Sequence, residues 1–441
     1  MSENTRELVL DMLMEVTRQE RPSHVVHSQM LMKYQYLEKQ ERRFMSRLFK
    51  GTLERMVTLD YVIGRFSSVK VSKIKPVLKN ILRMSVYQIL YMESIPHSAA
   101  CNEAVKLAVR RGFKNLRGFV NGVLRNISRN VDQIPWPDRE MEPELYLSVI
   151  FSVPQWLGSY FIETFGFNQA ETILKDSLAV HPVTVRCVDE EGVQETVKIL
   201  EQEGVKADPG VLLPYALRIS GFDSIGELKS FQEGRYAVQD ESSMMVVEMA
   251  GICRGDTVMD VCAAPGGKSC HAGGKLLSMA QGTGDQGHVY ARDVSYEKVE
   301  LIEDNVRRLG LPNVTVQVRD ALVLNSEDVG KADVVLADLP CSGLGVIGKK
   351  PDIKYRITRQ QITQLAALQR QILSVVQNYV APGKTLIYST CTVTPEENME
   401  NAVWFEKNFG FKLEESRQFF QGIDGCDGFF IARFRKMEPE G

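Results

Sequence analysis

Several common features are missing from this 441-residue chain, and each absence removes a class of protein. No apolar run reaches the ~18 residues that a membrane-spanning helix needs, so a helical membrane protein is excluded. The start, Met1-Ser2-Glu3-Asn4-Thr5-Arg6-Glu7, lacks the basic-then-apolar order of an export signal. Eight cysteines are few for this length, and without such a signal they read as free thiols in a reducing cytoplasm. Cys253, Cys262, Cys270 and His271 are spaced too widely for a zinc site and straddle a strand and a helix, so no metal is expected. A phosphate-binding G-x-x-x-x-G-K-[ST] loop is absent. Gly282-Thr283-Gly284-Asp285-Gln286-Gly287 does satisfy G-x-G-x-x-G, but it follows a helical pattern and precedes a strand pattern. A dinucleotide fingerprint has the opposite order, so a nicotinamide dehydrogenase is excluded.

What is present is uneven in charge. Residues 1–131 hold 23 Lys and Arg against 11 Asp and Glu, whereas the remainder holds 30 against 45. A basic third joined to an acidic remainder assigns the phosphate-binding field to the first part. That part has helical periodicity and almost no strand signal. Leu8, Leu10, Met12, Leu13 and Val16 share a face, Leu53 to Ile63 form an apolar helix, and Val77 to Leu90 form a third. Lys70, Lys73, Lys75, Lys79 and Arg83 surround one helix start. Lys106, Arg110, Lys114 and Arg117 recur at steps that one helical face could carry, although Gly112 interrupts them. Such a stripe suits a polyanion, because each phosphate contact releases counterions.

Asp132 to Pro143, with three prolines, reads as a linker. Residues 144–230 mix helical segments with strand-like Val183 to Val188 and Ala216 to Ser220, a small α+β module. From 231 to 438, strands at 257–262, 288–293, 314–319, 333–338 and 385–390 alternate with helices, and Phe429 to Phe434 is a terminal strand. The alternation predicts an α/β, Rossmann-like parallel sheet covered on both faces. Each strand ends in a polar residue, where ligands bind in such sheets. Asp260 leads into the turn Cys262-Ala263-Ala264-Pro265-Gly266-Gly267-Lys268; Asp293 and Asp320 end the next two strands; Asp338-Leu339-Pro340-Cys341-Ser342-Gly343 and Ser389-Thr390-Cys391-Thr392 end the following two.

These motifs, in this order, resemble those of the RNA (cytosine-C5)-methyltransferases, over roughly residues 230 to 436. Met84 to Tyr91, Ile95-Pro96, Asn102 to Val105 and Phe119 to Arg125 resemble the helical, RNA-binding NusB fold. The joint resemblance implies an all-α NusB-like domain over 1–131, an α+β RNA-binding module over 144–230, and a seven-stranded S-adenosylmethionine-dependent methyltransferase domain over 231–438. It implies S-adenosylmethionine as cofactor, held by Cys262 to Lys268, Asp293, Asp320 and Asp338. Lys298 stands where the family carries arginine, which leaves a contact from that position open. The expected substrate is a cytosine of 16S rRNA, naked or in an assembly intermediate, and the expected state is a cytoplasmic monomer. The same chemistry on tRNA or large-subunit rRNA is an alternative, as is a non-catalytic RNA-binding or antitermination protein.

The chemistry needs a thiolate, because C5 of cytosine is not nucleophilic until sulfur has added at C6. Asp338 can hydrogen-bond the attacked ring near N3. Either Cys341 or Cys391 could attack; the Pro-Cys cysteine attacks in DNA cytosine methyltransferases, whereas the resemblance implies attack by Cys391 and product release helped by Cys341. By resemblance, Arg186, in the stretch beginning at Pro182, lies near RNA; a salt-bridged structural arginine is the alternative reading. Lys349, Lys350, Lys354 and Arg356, with Tyr355, form a loop suited to an RNA strand. Deleting residues 1–131 is expected to weaken RNA affinity and flatten its dependence on salt, measured as the slope of log K against log[salt]. An unchanged slope would make the charge of this third incidental.

Overall fold

A computed structural model describes residues 4–281 and 284–438; Gly282 and Thr283 of the G-x-G-x-x-G run lie outside the described residues. The contacts divide the chain into two compact units. The first comprises residues 1–179 with 347–356, and the second 180–346 with 357–441.

The first unit is helical. Its centre is the helix Pro76–Tyr91, which packs against Thr5–Arg18, Lys39–Glu54, Met56–Phe66, His97–Arg110 and Arg117–Arg129. Ile81, Leu82, Val86 and Ile89 bury one broad stripe of this helix, and removing that apolar area from water drives the packing. Buried Arg83 is neutralised by both carboxylate oxygens of Asp60, at 2.7 and 2.6 Å. It is therefore not part of a basic surface. A Cβ on Gly51 would lie 2.0 Å from the Tyr87 ring, so only glycine lets these two helices approach this closely. The apolar stretch read as one helix from Leu53 to Ile63 is split at Arg55 into two.

The expected stripe of Lys106, Arg110, Lys114 and Arg117 is not one helical face. The helix ends at Arg110, Gly112 turns the chain at φ +84°, and Lys114 and Arg117 lie on later elements. Lys106 and Arg110 also meet acids, Glu103 at 2.7 Å and Glu7 at 3.7 Å. The tertiary structure builds a different cluster. Lys75 Nζ sits 5.5 Å over the Phe113 ring, joining exposed Lys70, Lys73 and Lys75 to exposed Lys114 and Arg117.

The stretch 144–230, expected to be one module, is divided between the units at 179/180. Helices Pro143–Ile150, Gln155–Phe165 and Phe167–Asp176 join the helical unit. The reason is local: Ser152 Oγ accepts the Val57 N–H at 3.0 Å, at the start of helix Met56–Phe66, and Thr58 Oγ1 donates to the Val149 carbonyl at 2.6 Å.

Segment 347–356 also belongs to the first unit, although it lies between strands of the second in sequence. This corrects the reading of it as an exposed cationic loop. Lys354 is 1% exposed and donates to the Glu54 carbonyl at 2.9 Å, and the Tyr355 hydroxyl reaches the same carbonyl at 3.1 Å. Arg356 donates to the Arg21 carbonyl at 2.6 Å. Only Lys349 and Lys350 of the four expected cations are exposed.

The second unit holds two sheets. Strands β1 (Val183–Cys187), β2 (Lys206–Pro209), β3 (Ala216–Ser220) and β4 (Tyr236–Val238) form an antiparallel sheet in the order β2-β3-β1-β4. Strands β5 (Thr257–Asp260), β6 (His288–Asp293), β7 (Val314–Val318), β8 (Ala332–Asp338), β9 (Val380–Thr390), β10 (Phe411–Phe419) and β11 (Phe429–Lys436) form the large sheet, ordered β10-β11-β9-β8-β5-β6-β7. All pairings are parallel except those of β11 with β9 and β10. Alternate residues feed two cores: Val258, Val289, Val334 and Ile387 on one face, Met259, Val335 and Leu386 on the other. Among the described residues no single helix is long and apolar enough to cross a membrane.

Burial pushes the Lys354 ammonium down to about 7, partly offset by Glu54. A folded-state value below the unfolded one means that the unfolded chain holds the extra proton between roughly pH 7 and 10. Stability should therefore rise with pH across that window, by up to about 1.4 kcal/mol per pH unit. Lys354→Met should be more stable than the parent at neutral pH and should lose the rise. Denaturant midpoints against pH check both, and a slope that survives the substitution would assign it to another group.

Candidate active site

The large sheet changes direction between β5 and β8, since the chain runs outward from β5 through β6 to β7 and then returns to β8 and β9. Loops diverge there, leaving a crevice at the carboxyl ends of the strands. Cys262 to Lys268, Asp293, Asp320, Asp338, Cys341 and Cys391 lie at the strand ends along this edge, whereas Arg186 and the expected cations of 349–356 do not.

After Asp260 the chain is stitched to both neighbouring strands. Val261 N–H donates to the Leu336 carbonyl and Ala263 N–H to that of Arg292, at 3.1 and 2.8 Å. Gly266 adopts φ +102°, and a Cβ there would meet Ile302 at 3.2 Å. The helix Gly267–Met279 starts immediately, so its first N–H groups face the crevice. Cys262 is mostly buried, and burial with the nearby acids Asp260 and Asp293 pushes its thiol far up. It is kept from ionising, and its place in the loop is structural.

Asp293, 4% exposed at the end of β6, accepts the Ala264 N–H at 3.0 Å on one oxygen. Its other oxygen receives Val294 N–H at 2.8 Å and Lys298 Nζ at 2.9 Å. Lys298 thus has a definite role here: it neutralises the acid beside the loop. Asp320, beyond the end of β7, is exposed and uses one oxygen to cap a turn through Leu322 N–H at 2.9 Å. Lys268 reaches across to Asp338 at 2.6 Å, and the second Asp338 oxygen accepts the Ser389 hydroxyl at 2.8 Å. Burial opposes the Lys268 charge, yet Asp338, Asp260 and Cys391 outweigh it and hold the ammonium above its ordinary range.

The two thiols end adjacent strands. Cys341 Sγ and Cys391 Sγ lie 3.3 Å apart, close enough for one to donate its proton to the other. Hydrogen bonding to Cys391, burial and the charges of Cys391 and Glu397 together hold Cys341 as a thiol, far above its ordinary value. The two sulfurs are in direct contact, and either can donate to the other.

Sequence reasoning missed a buried polar group behind the thiols: Ser342, Gln369, Thr392, Thr394, Glu397 and Asn398, each at most 5% exposed. The run Pro395-Glu396-Glu397-Asn398, just past the second cysteine, was the available signal. Asp260, read in the sequence only as the acid that leads into the turn, is fully buried and pushed up to about 7 by burial, with one oxygen on Ser269 at 2.6 Å and the other unpartnered. Arg186 is corrected: it lies 3% exposed in β1, donating to Gln239 at 2.9 Å, and it presents no cation at the surface.

A glycine-cradled turn, an orphaned acid oxygen and acids at successive strand ends fit a nucleoside-bearing methyl donor. The comparisons agree. A family profile described as 16S rRNA methyltransferase RsmB/F matches residues 251–435, and one for the NusB family matches 3–129. The chain is 33% identical to the probable ribosomal RNA small subunit methyltransferase B of Bacillus subtilis (strain 168), over 98% of this chain and 99% of that one. It is 32% identical to the Synechocystis protein of the same description, over 90% of this chain and 87% of the other. The crystal structure of PH0851 superposes with a TM-score of 0.81 at 24% identity, over 99% of this chain and all of that one. That of NSun6 from Pyrococcus horikoshii with SFG gives 0.57 at 24%, over 65% of this chain and 99% of its own.

S-adenosylmethionine should raise the melting temperature, because a ligand that binds only the folded state adds about RT ln(1 + [L]/Kd). Asp293→Ala, which removes an acid that the resemblance implies holds the cofactor, should weaken binding at least about tenfold, given that a hydrogen bond to a charged group contributes roughly 1.5–3 kcal/mol. Titrations that superpose on the parent's would remove Asp293 from the site.

Proposed function

We propose that this chain, which belongs to the ribosomal RNA small subunit methyltransferase B family and is an S-adenosylmethionine-dependent methyltransferase, methylates C5 of a cytosine in 16S rRNA with Cys391 as nucleophile. The observation that carries the reading is the 3.3 Å pair of thiols set beside the Lys268–Asp338 ion pair, where three strands end. The bound cofactor supplies an electrophilic methyl group.

The chain's own residues do the rest. Lys268 lies within electrostatic reach of Cys391 and favours its thiolate, and the Cys341 proton aimed at that sulfur does the same. The thiolate adds to C6, its electron pair passing through the ring to make C5 nucleophilic. Asp338, fixed by Lys268 and Ser389, stands where it can hydrogen-bond the ring as charge develops there. Once the methyl group has joined C5, a base must remove the C5 proton so that the C6–sulfur bond can break and aromaticity return. Cys341 suits that moment. Once the Cys391 sulfur is bonded to carbon, the hydrogen bond that chiefly holds the Cys341 proton weakens and that proton passes to solvent; the Cys341 thiolate then takes the C5 proton as Cys391 leaves as the thiolate, which restores the starting pair.

RNA contact is assigned to the cluster of Lys70, Lys73, Lys75, Lys114 and Arg117, and to exposed Lys349 and Lys350. The target base leaves its stack to reach the thiols.

Denaturing gels with labelled rRNA separate the two thiols. Cys341→Ala should give a shifted protein–RNA band, because the C6 thioether outlasts a missing release step. Cys391→Ala and the double variant should give none, and Cys391→Ala should transfer no methyl group. A band for Cys391→Ala alone would assign attack to Cys341.

A further inference from the structure

Buried polar side chains are expensive unless every donor and acceptor is matched, so a fully matched group behind an active site needs a reason. Glu397 and Asn398 form the centre of such a group, at 0% and 1% exposure. Neither is among the buried polar side chains left without a partner.

Their partners are the residues that flank the two cysteines. Glu397 Oε1 accepts the Ser342 N–H at 2.8 Å, and Oε2 accepts the Ser342 hydroxyl. Thr394 Oγ1 donates to Oε2 at 2.7 Å. Gln369 donates both to Glu397, at 3.1 Å, and to the Pro340 carbonyl, at 2.9 Å. The residues before and after Cys341 are therefore gripped from one carboxylate and its amide neighbour. Asn398 does the same for the other cysteine. Its Oδ1 accepts the Thr390 hydroxyl at 2.5 Å, and its Nδ2 donates to the Thr392 carbonyl at 3.0 Å. The Ser342 and Thr392 hydroxyls meet at 2.7 Å and tie the two turns together. Four donors converge on the Glu397 carboxylate, which is what a buried charge needs in order to persist.

We propose that Glu397 and Asn398 are positioning residues that hold the two sulfurs in register, Glu397 through the Cys341 turn and Asn398 through the Cys391 turn. Neither side chain touches a reacting atom. Their consequences for turnover rest on the assignment of attack to Cys391 and release to Cys341. Glu397→Gln keeps the shape but turns an acceptor towards Ser342 or Thr394 into a donor, so the Cys341 turn loosens. Asn398→Ala frees both flanks of Cys391.

Two measurements on the full chain test this. In the first, diamide oxidises the pair: it takes up the two thiol hydrogens as the sulfurs join, and mass spectrometry follows the Cys341–Cys391 disulfide. The rate is taken relative to iodoacetamide alkylation of each thiol, which cancels changes in acidity. Both variants should close the disulfide at least tenfold more slowly while keeping the parent's S-adenosylmethionine thermal shift. Unchanged relative rates in both would overturn the proposal whatever the cysteines do. The second measurement is the gel assay. Glu397→Gln should accumulate the protein–RNA band with KM for RNA within twofold of the parent and kcat at least tenfold lower. In the Cys341→Ala background, Asn398→Ala should slow band formation at least tenfold. Slowed disulfide closure with the opposite gel pattern would uphold the positioning roles and reject the cysteine assignment. A rise in KM with kcat preserved in both variants would reduce the pair to structural support and reject the proposal.

Discussion

Parallel pairing of β5 with β8 is the constraint on which the site depends. Val258, Met259 and Asp260 lie in register with Val334, Val335 and Leu336, so the turn after β5 and the turn after β8 emerge side by side. Only then can Lys268 span to Asp338 at 2.6 Å. The next pairing, β8 with β9, sets Asp338 opposite Ser389 and carries the two cysteines to one edge. A one-residue slip in either register would turn each of these side chains to the other face. The sheet's two apolar cores, which fix that register, are therefore part of the catalytic apparatus.

Electrostatics around the thiols is arranged by burial rather than by surface charge. Lys268 is the cation beside two acids, Asp338 and Asp260, and the Cys391 sulfur, and the balance leaves it charged. Cys341 and Cys262 are both held above the ordinary thiol range, and the Cys391 sulfur lies 3.3 Å from Cys341 and within electrostatic reach of Lys268. This answers a question the motifs alone leave open, namely why two cysteines in one pocket should take different parts. The turns place the two sulfurs in different charge surroundings: Lys268 acts on Cys391, and Glu397 acts on Cys341.

The helical unit shows the same economy in its polar groups. Residues that look like a cationic surface in the sequence are partly consumed in its interior: Arg83 on Asp60, Lys354 on the Glu54 carbonyl, Arg356 on the Arg21 carbonyl. A long aliphatic stem buries favourably, and its charged end then needs a partner. Among the cations that remain exposed, Lys75 lies over the Phe113 ring and so links two basic stretches some forty residues apart in sequence.

The sequence by itself determined the elements and their order. Strand-ending acids at Asp260, Asp293 and Asp338, the glycine turn at Gly266 and Gly267, and the helical periodicity of the first third are local patterns, set by alternation, by backbone freedom and by 3.6-residue spacing. They put the glycine turn and both cysteines at the ends of strands that prove to be neighbours in the sheet. Strand Phe411–Phe419 was not located, because it has only three apolar residues, Phe411, Leu413 and Phe419, and the charged and polar run between the last two leaves little alternation to read. Only the tertiary structure decided which polar residues are spent inside. Arg186, Lys354 and Arg356 look, in sequence, the same as surface cations, and Glu397 and Asn398 look like a solvated turn. Their burial depends on partners far away in the chain, such as Gln239, Glu54, Arg21 and Ser342. A hydrogen bond between distant residues leaves no periodicity behind, so it becomes visible only when the fold brings donor and acceptor together.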